Sequence, residues 1–327
     1  NRPGRLGCPA DAVVSTPEPT SRPTPVAAAP SGRGLGVLAV LLAAACWSFG
    51  GVLGKSAGAE GVTLSFWRLW MSSAVITIVA VARHRIPTRV ELKRATAAGI
   101  LFGLNLCAFW VTLQYTTVAV ALIIGALSPV LALPIAATFM GERVTGVKVA
   151  CAVVAVAGVA GAVLTAPPGK GGDTCAVGYL WAVASLVVWV IYLLLTKRAR
   201  ASMGTLQFMT AVTWISTLTV AVIALATRRD LGQIHGAGWA WTALLALIPG
   251  LTGHGLIAWA QPRVDASVTA VLIQLEPVGA SLTAWAFLEE RMSGWQGVAM
   301  VVVVAALSTL AWSESREGAV ALDDALG

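Results

Sequence analysis

Glu276 is a carboxylate in the middle of an apolar run, directly before Pro277. An ionisable group at bilayer depth is costly unless it faces protein or water, so it marks a place to look for chemistry. Such a carboxylate can bind a cation or carry a proton. Proline has no backbone N–H to donate, so the carbonyl of Ile273 is expected to lose its helical partner. A broken helix in a cavity wall would present such carbonyls to a solute or ion. Arg68 is a second group of this kind, about one turn inside another apolar run. Its planar guanidinium can clamp a carboxylate. It can equally snorkel, or pair with an acid such as Glu290. Trp47, Trp189 and Tyr192 offer aromatic walls. Asn105, Ser128, His254 and Gln274 add polar groups at membrane depth, suited to touching a solute or to bonding helix to helix.

Positioning these residues is a matter of apolar helices. Hydrophobic residues fill 57% of the 327 positions and charged residues 11%, which argues against a soluble globular chain. A bilayer-spanning helix takes about 20 mostly apolar residues. Ten such spans are expected: 34–54, 63–82, 95–114, 117–139, 147–165, 177–196, 204–226, 238–260, 266–287 and 295–312. In lipid the backbone must satisfy itself, and the alternating pattern of barrel strands is absent, so the spans are helices.

The net charge of +7 is a topology signal rather than a nucleic-acid footprint. Arg83, Arg85, Arg89, Lys93 and Arg94 follow the second span. Arg143 and Lys148 lie between the fourth and fifth, and Lys197, Arg198 and Arg200 close the sixth. The tail before the first span adds Arg2, Arg5, Arg22 and Arg33. All fall on one face, so both termini are expected in the cytoplasm of a multi-pass cell-membrane protein.

The chain repeats itself. Trp47 precedes Lys55 by eight residues, and Trp189 precedes Lys197 by eight. Pro129 precedes Glu142-Arg143 by thirteen, and Pro277 precedes Glu290-Arg291 by thirteen. The first match has an offset of 142 and the second of 148, and the second half has a longer loop near Thr227–Gly238. Each half then holds five spans, and an odd number makes the second half enter with opposite polarity. The expected fold is all-α and integral to the membrane: ten transmembrane helices as two inverted five-helix repeats. Inverted symmetry pairs Lys55 with Glu290 on one face and Lys197 with Glu142 on the other. These pairs are expected near two gates, with helix-end anchoring as the plainer alternative. Two stripes are expected to face each other across a central cavity. One is Ala121, Gly125, Ser128, Ala132 and Ala136; the other is Thr269, Glu276, Ala280 and Thr283.

These motifs resemble the drug/metabolite transporter superfamily and, within it, the EamA-type transporter family. The matching residues are Trp47 through Lys55, Phe66-Trp67-Arg68, and Gly141-Glu142-Arg143-Val144-Thr145 with its second copy Glu289-Glu290-Arg291-Met292-Ser293. The likeness covers about 34–312. It implies movement of amino acids, other metabolites or drug-like compounds, often as export. Arg68 meets Thr210 in the second half, so an arginine role is not expected in both.

The expected organisation is a disordered cytoplasmic tail at 1–33, a first repeat at 34–165, a linker at 166–176, a second repeat at 177–312 and a cytoplasmic tail at 313–327. The chain begins at Asn1 rather than Met, which fits a fragment or a processed product. Catalytic and metal motifs are missing: no His-Glu-x-x-His, Gly-x-Ser-x-Gly, Cys-x-x-Cys or phosphate loop occurs. The reading is a secondary transporter working by alternating access, without catalytic residues, metal or cofactor, with proton coupling or facilitated diffusion open. A membrane-embedded enzyme with an unrecognised catalytic set, or a non-transporting helper subunit, remains the alternative. The expected partners are a small-molecule substrate and membrane lipid, with a homodimer left open and no nucleic acid.

Overall fold

The computed structural model describes residues 32–115, 121, 124–164, 176–288 and 293–326, and every element among them is helical. Helix α1 (Arg33–Ser48) and α2 (Gly50–Ala57) make the first span, bent at Phe49. α3 (Gly61–Ala82) and α4 (Arg89–Tyr115) are the second and third. α5 (Ser128–Met140) and α6 (Gly146–Leu164) follow. The second half holds α7 (Ala176–Arg200) and α8 (Thr205–Ala226). α9 (Gly238–Leu245), a π-helical stretch (Ala246–Gly253) and α10 (His254–Ala260) form one span. α11 (Ala266–Leu272) and α12 (Leu275–Leu288) form the next, and α13 (Gly294–Leu326) is last.

Eight of these helices are long and apolar enough to cross a membrane, and Ser128–Met140 and Gly146–Gly161 are shorter apolar helices. The protein is therefore an all-helical, ten-helix membrane protein. Its outward faces carry Ile78, Leu218, Val301 and other exposed large apolar side chains, as expected where lipid is the solvent. The last helix continues past the expected end at 312 to Leu326. The sequence there is rich in Ala, Leu and Glu, all strong helix formers.

Small residues let the helices approach. Ser216 Oγ donates to the carbonyl of Gly99 at 2.8 Å, and a Cβ at Gly99 or Gly103 would press on Ile215 or Thr219 of α8. This is membrane packing through a Gly-x-x-x-Gly face. Helix starts are capped locally. Thr88 and Glu91 exchange bonds (Thr88 N to Glu91 Oε2, 2.8 Å; Glu91 N to Thr88 Oγ1, 3.3 Å). Ser293 and Gln296 do the same before α13. Both are reciprocal capping boxes.

The repeat shows in the breaks. Turns at Ala126–Leu127 and Ile273–Gln274 interrupt equivalent spans. Residues 126 and 274 are themselves equivalents, and the Gln274 side chain donates its amide N–H to the carbonyl of Ala126. The two interrupted helices thus touch where the pseudo-two-fold relation brings them together. The Ile273 carbonyl, expected to be freed by Pro277, instead accepts from Glu276 N at 2.9 Å. The chain tightens by one residue at the break, so the bond reaches three residues back rather than four.

Candidate functional site

The site forms between the repeats, around the π-helical stretch. Pro249 within that stretch has no N–H, and the backbone there leaves carbonyls for other partners. Trp47 Nε1 donates to the carbonyl of Pro249 at 3.0 Å, and Ser72 Oγ to that of Ala246 at 2.9 Å. Spans one and two are thereby tied to span eight at the irregularity. Gly253 lies directly under the Trp47 ring, where a Cβ would overlap Nε1. The indole requires the missing side chain.

An aromatic cluster is built on this tie. Trp47 meets His254 with ring centroids 4.8 Å apart and Trp189 at 5.6 Å. Phe102 stacks on Tyr192 at 5.0 Å and meets His254 edge-on at 4.5 Å. Trp189 lies 5.4 Å from Tyr192. Beside the cluster is a narrow pocket of about 10 Å³, room for about one water. The first repeat contributes Arg68, Ser72 and Phe102; the second contributes Tyr192, Thr213 and His254. Two buried nitrogens there have no hydrogen-bond partner among the described residues, Arg68 Nε and His254 Nδ1. Orphaned polar atoms in an apolar interior are rare and point to a ligand or water that would satisfy them. Arg68 interacts electrostatically with Glu276 through the interior, but the two form no direct ion pair.

The other expected residues are placed as follows. Glu276 is half-buried at the start of α12, its carbonyl accepting from Ser48 Oγ at 3.4 Å. Asn105 Nδ2 donates to the carbonyl and hydroxyl of Ser185 at 2.9 and 3.0 Å, so it joins α4 to α7 outside the pocket. Ser128 is buried at the start of α5 and Gln274 is engaged at the break. The two stripes do not face each other across open space. Ala132 and Ala136 of α5 pack with Ala266 and Ala270 of α11. Thr283 Oγ1 donates to the Ser48 carbonyl on α1 at 2.8 Å. Alanines on both helices allow contact, and contact excludes a cavity there.

A second constellation joins helix ends on one face. Lys197 Nζ donates to Glu142 Oε1 at 2.6 Å and to the Val264 carbonyl at 3.0 Å. Glu142 also accepts from Ala266 N at 2.7 Å, Ser267 N at 3.1 Å and Ser267 Oγ at 2.7 Å. A carboxylate from the end of span four thus caps the N-terminus of span nine, where the helix dipole favours negative charge. Asp265 extends the lock. It accepts from Lys148 Nζ at 2.5 Å, and Arg33 lies 3.5 Å and Lys197 3.8 Å away. Burial pushes the Asp265 carboxyl up, but Lys148, then Lys197 and Arg33, outweigh it and hold it below its usual value. The ends of spans one, four, five, six and nine therefore meet on one face. Glu290, expected opposite Lys55, lies outside the described residues.

Sequence reasoning missed Phe102, Ser72, Thr213 and Asp265. Asp265 carried a signal, being an acid in the short loop opening span nine, between Arg263 and the next apolar run. Phe102 and Thr213 carried none, because such residues are ordinary in any apolar span.

Sequence and fold are similar to known proteins. The chain is 27% identical over 259 residues to a probable terminal-alkyne amino-acid exporter of Streptantibioticus cattleyicolor, covering 76% of this chain and 84% of that one. It is equally 27% identical over 259 residues to the uncharacterized inner membrane transporter YhbE of Escherichia coli K12, covering 75% and 78%. A solved crystal structure superposes with a TM-score of 0.73 at 21% identity over 85% of this chain and 98% of its own, which shows the fold. The profile of the EamA-like transporter family matches residues 34–164 and 176–312, one match for each repeat. With its duplicated helices and its pocket between the repeats, the chain belongs to the EamA-like transporter family and is a multi-pass membrane protein.

Proposed function

We propose that the protein exports a small amphipathic solute bearing a carboxylate, an amino acid or a close relative, by alternating access. The observation that carries this reading is the Arg68 guanidinium. It lies in an aromatic pocket between the repeats with a buried N–H unpartnered. A buried cation without a bonded carboxylate favours a ligand that brings one. Phe102, Tyr192 and the Trp47–Trp189 pair offer the solute's apolar part a wall. Glu276, in the field of Arg68, is suited to receive an ammonium group or a coupling proton.

In the present conformation the pocket has room for about one water, and the Glu142–Lys197 and Lys148–Asp265 pairs hold one face shut. Solute entry requires the repeats to part. The lock is the contact that exchanges, and by charge it belongs on the cytoplasmic side. The exporter named among the relatives supports an amino-acid class. The test is a thermal-shift screen of the purified protein against amino acids and their methyl esters, followed by flux of each hit in proteoliposomes. A binding solute raises the melting temperature. Hits limited to compounds without a carboxylate would overturn the assignment.

A further inference from the structure

The second opening in the surface is unlike the first. It is a groove of about 320 Å³ between α1 and α10, lined only by Leu35, Leu38, Ala39, Leu42, Leu256 and Trp259. Leu35, Leu38 and Leu42 are exposed, on the outer face where lipid is, and Leu256 and Trp259 are half-buried. At the groove's end, on the face that carries the ionic lock, is Arg263, and Arg200 bonds the neighbouring helix-end carbonyl. The Arg263 guanidinium lies over the Trp259 ring, 3.8 Å from its centroid. Its stem packs against Gly32 and Gly36 at the start of α1. The groove wall and the charge therefore share one indole.

Both arginines serve the C-terminus of α10. Arg263 Nη1 donates to the Trp259 carbonyl at 2.5 Å and Arg200 Nε to the Ala258 carbonyl at 2.8 Å. Helix-end carbonyls explain these two bonds, and Arg200 Nη1 also donates to the Met203 carbonyl. The two cations bond successive carbonyls of one helix end, so like charge gathers there. Among the described residues neither has a carboxylate partner; the acid of the adjacent loop, Asp265, is taken by Lys148, Lys197 and Arg33. A guanidinium has five N–H donors, so most of the fork remains for a ligand with several acceptor oxygens.

We propose that this groove holds one anionic phospholipid, its acyl chain along Leu35, Leu38 and Leu42 and its phosphate on Arg263 and Arg200. The occupant is a lipid rather than a soluble phosphate because the basic pair opens onto an apolar trough at membrane depth. The anionic headgroup supplies the countercharge the pair lacks, and acidic lipid is concentrated where basic residues face the cytoplasmic leaflet. The bound lipid would brace α1 against α10, the two elements that carry Trp47 and His254 of the transport site.

The test uses the full chain in phosphatidylcholine nanodiscs, with melting followed as dioleoyl phosphatidylglycerol replaces part of the phosphatidylcholine. The expected result is a rise in melting temperature with phosphatidylglycerol. The rise should be lost in the R200Q/R263Q variant and kept in R83Q, which removes an exposed charge from the same face. Leu38→Trp fills the trough at an exposed position, leaves both arginines, and should also diminish the rise. Soluble glycerol 3-phosphate should not reproduce it. The proposal is overturned if phosphatidylcholine alone stabilises equally, or if R83Q abolishes the rise as fully as the double variant. It is overturned as well if Leu38→Trp leaves the rise intact, or if glycerol 3-phosphate matches the lipid.

Discussion

On the proposed reading Arg68 and Glu276 divide the chemistry of the site, so their substitutions should fail in different ways. Arg68→Gln removes a charge-assisted bond, worth about 1.5–3 kcal/mol where the group is buried. Solutes with a free carboxylate should bind roughly tenfold to a hundredfold more weakly, and methyl esters should be nearly unaffected. Competition binding on the purified variant checks this. Arg68→Lys should recover only part, because a point charge lacks the planar fork. Glu276→Gln keeps the shape and removes the titration. Its flux should become independent of pH across the range where wild-type flux changes. A Glu276→Gln variant with the wild-type rate and pH profile ends the proton role. Both residues were legible in the sequence, because an ionisable side chain inside an apolar run stands out. Their division of labour was not legible. It depends on Arg68 lining the pocket with Phe102 and His254 while Glu276 sits at a helix break on another span.

Helix ends carry the ionic cluster that the proposed opening has to break. Glu142 caps α11 and holds Lys197, with its side chain only 5% exposed. Glu142→Ala removes the cap and leaves the neighbouring charge unbalanced. A loss of about 1–2 kcal/mol is expected from the cap alone, visible as a lower melting temperature. Asp265 adds a pH signature. Its carboxyl is held below the ordinary value of 3.8, so the lock's contribution is fully present above about pH 4 and is lost as pH falls through the lowered value. Asp265→Asn should therefore flatten the acid limb of the melting-temperature profile and leave the neutral limb merely shifted. The pairing of Lys197 with Glu142 followed from the repeat, because equivalent motifs on opposite faces must exchange partners under inverted symmetry. The rest of the lock did not. Lys148 and Arg33 read as topology charges, and only the packed structure brings Asp265 between them. The packing of Ala132 and Ala136 on α11 was hidden for the same reason: small residues in a stripe are compatible with a cavity or with close contact.

The duplicated chain makes the two halves equivalent in plan and unequal in detail. Equivalence was readable from spacing alone, since Trp–Lys and Pro–Glu–Arg recur at nearly constant offset. Inequality matters more for direction. Asp265 corresponds to Thr117 and Lys148 to Gln296, so the lock's second ion pair has no counterpart of like charge in the other half. The resting protein should favour the state closed on this face. Cysteines introduced beside Glu142 should label slowly in the wild-type background and faster in Asp265→Asn. Reporter fusions at both ends should give a cytoplasmic signal, as the basic loops require.

On the proposed reading, a carboxylate-bearing solute moves through the pocket at Arg68. The most direct measurement is counterflow of a labelled hit from the amino-acid screen in proteoliposomes of purified protein, wild type against Arg68→Gln. Accumulation is expected with wild type, with competition by the free acid but not by its ester, and a large loss with Arg68→Gln. Equal counterflow by the two proteins, or equal competition by acid and ester, would contradict it.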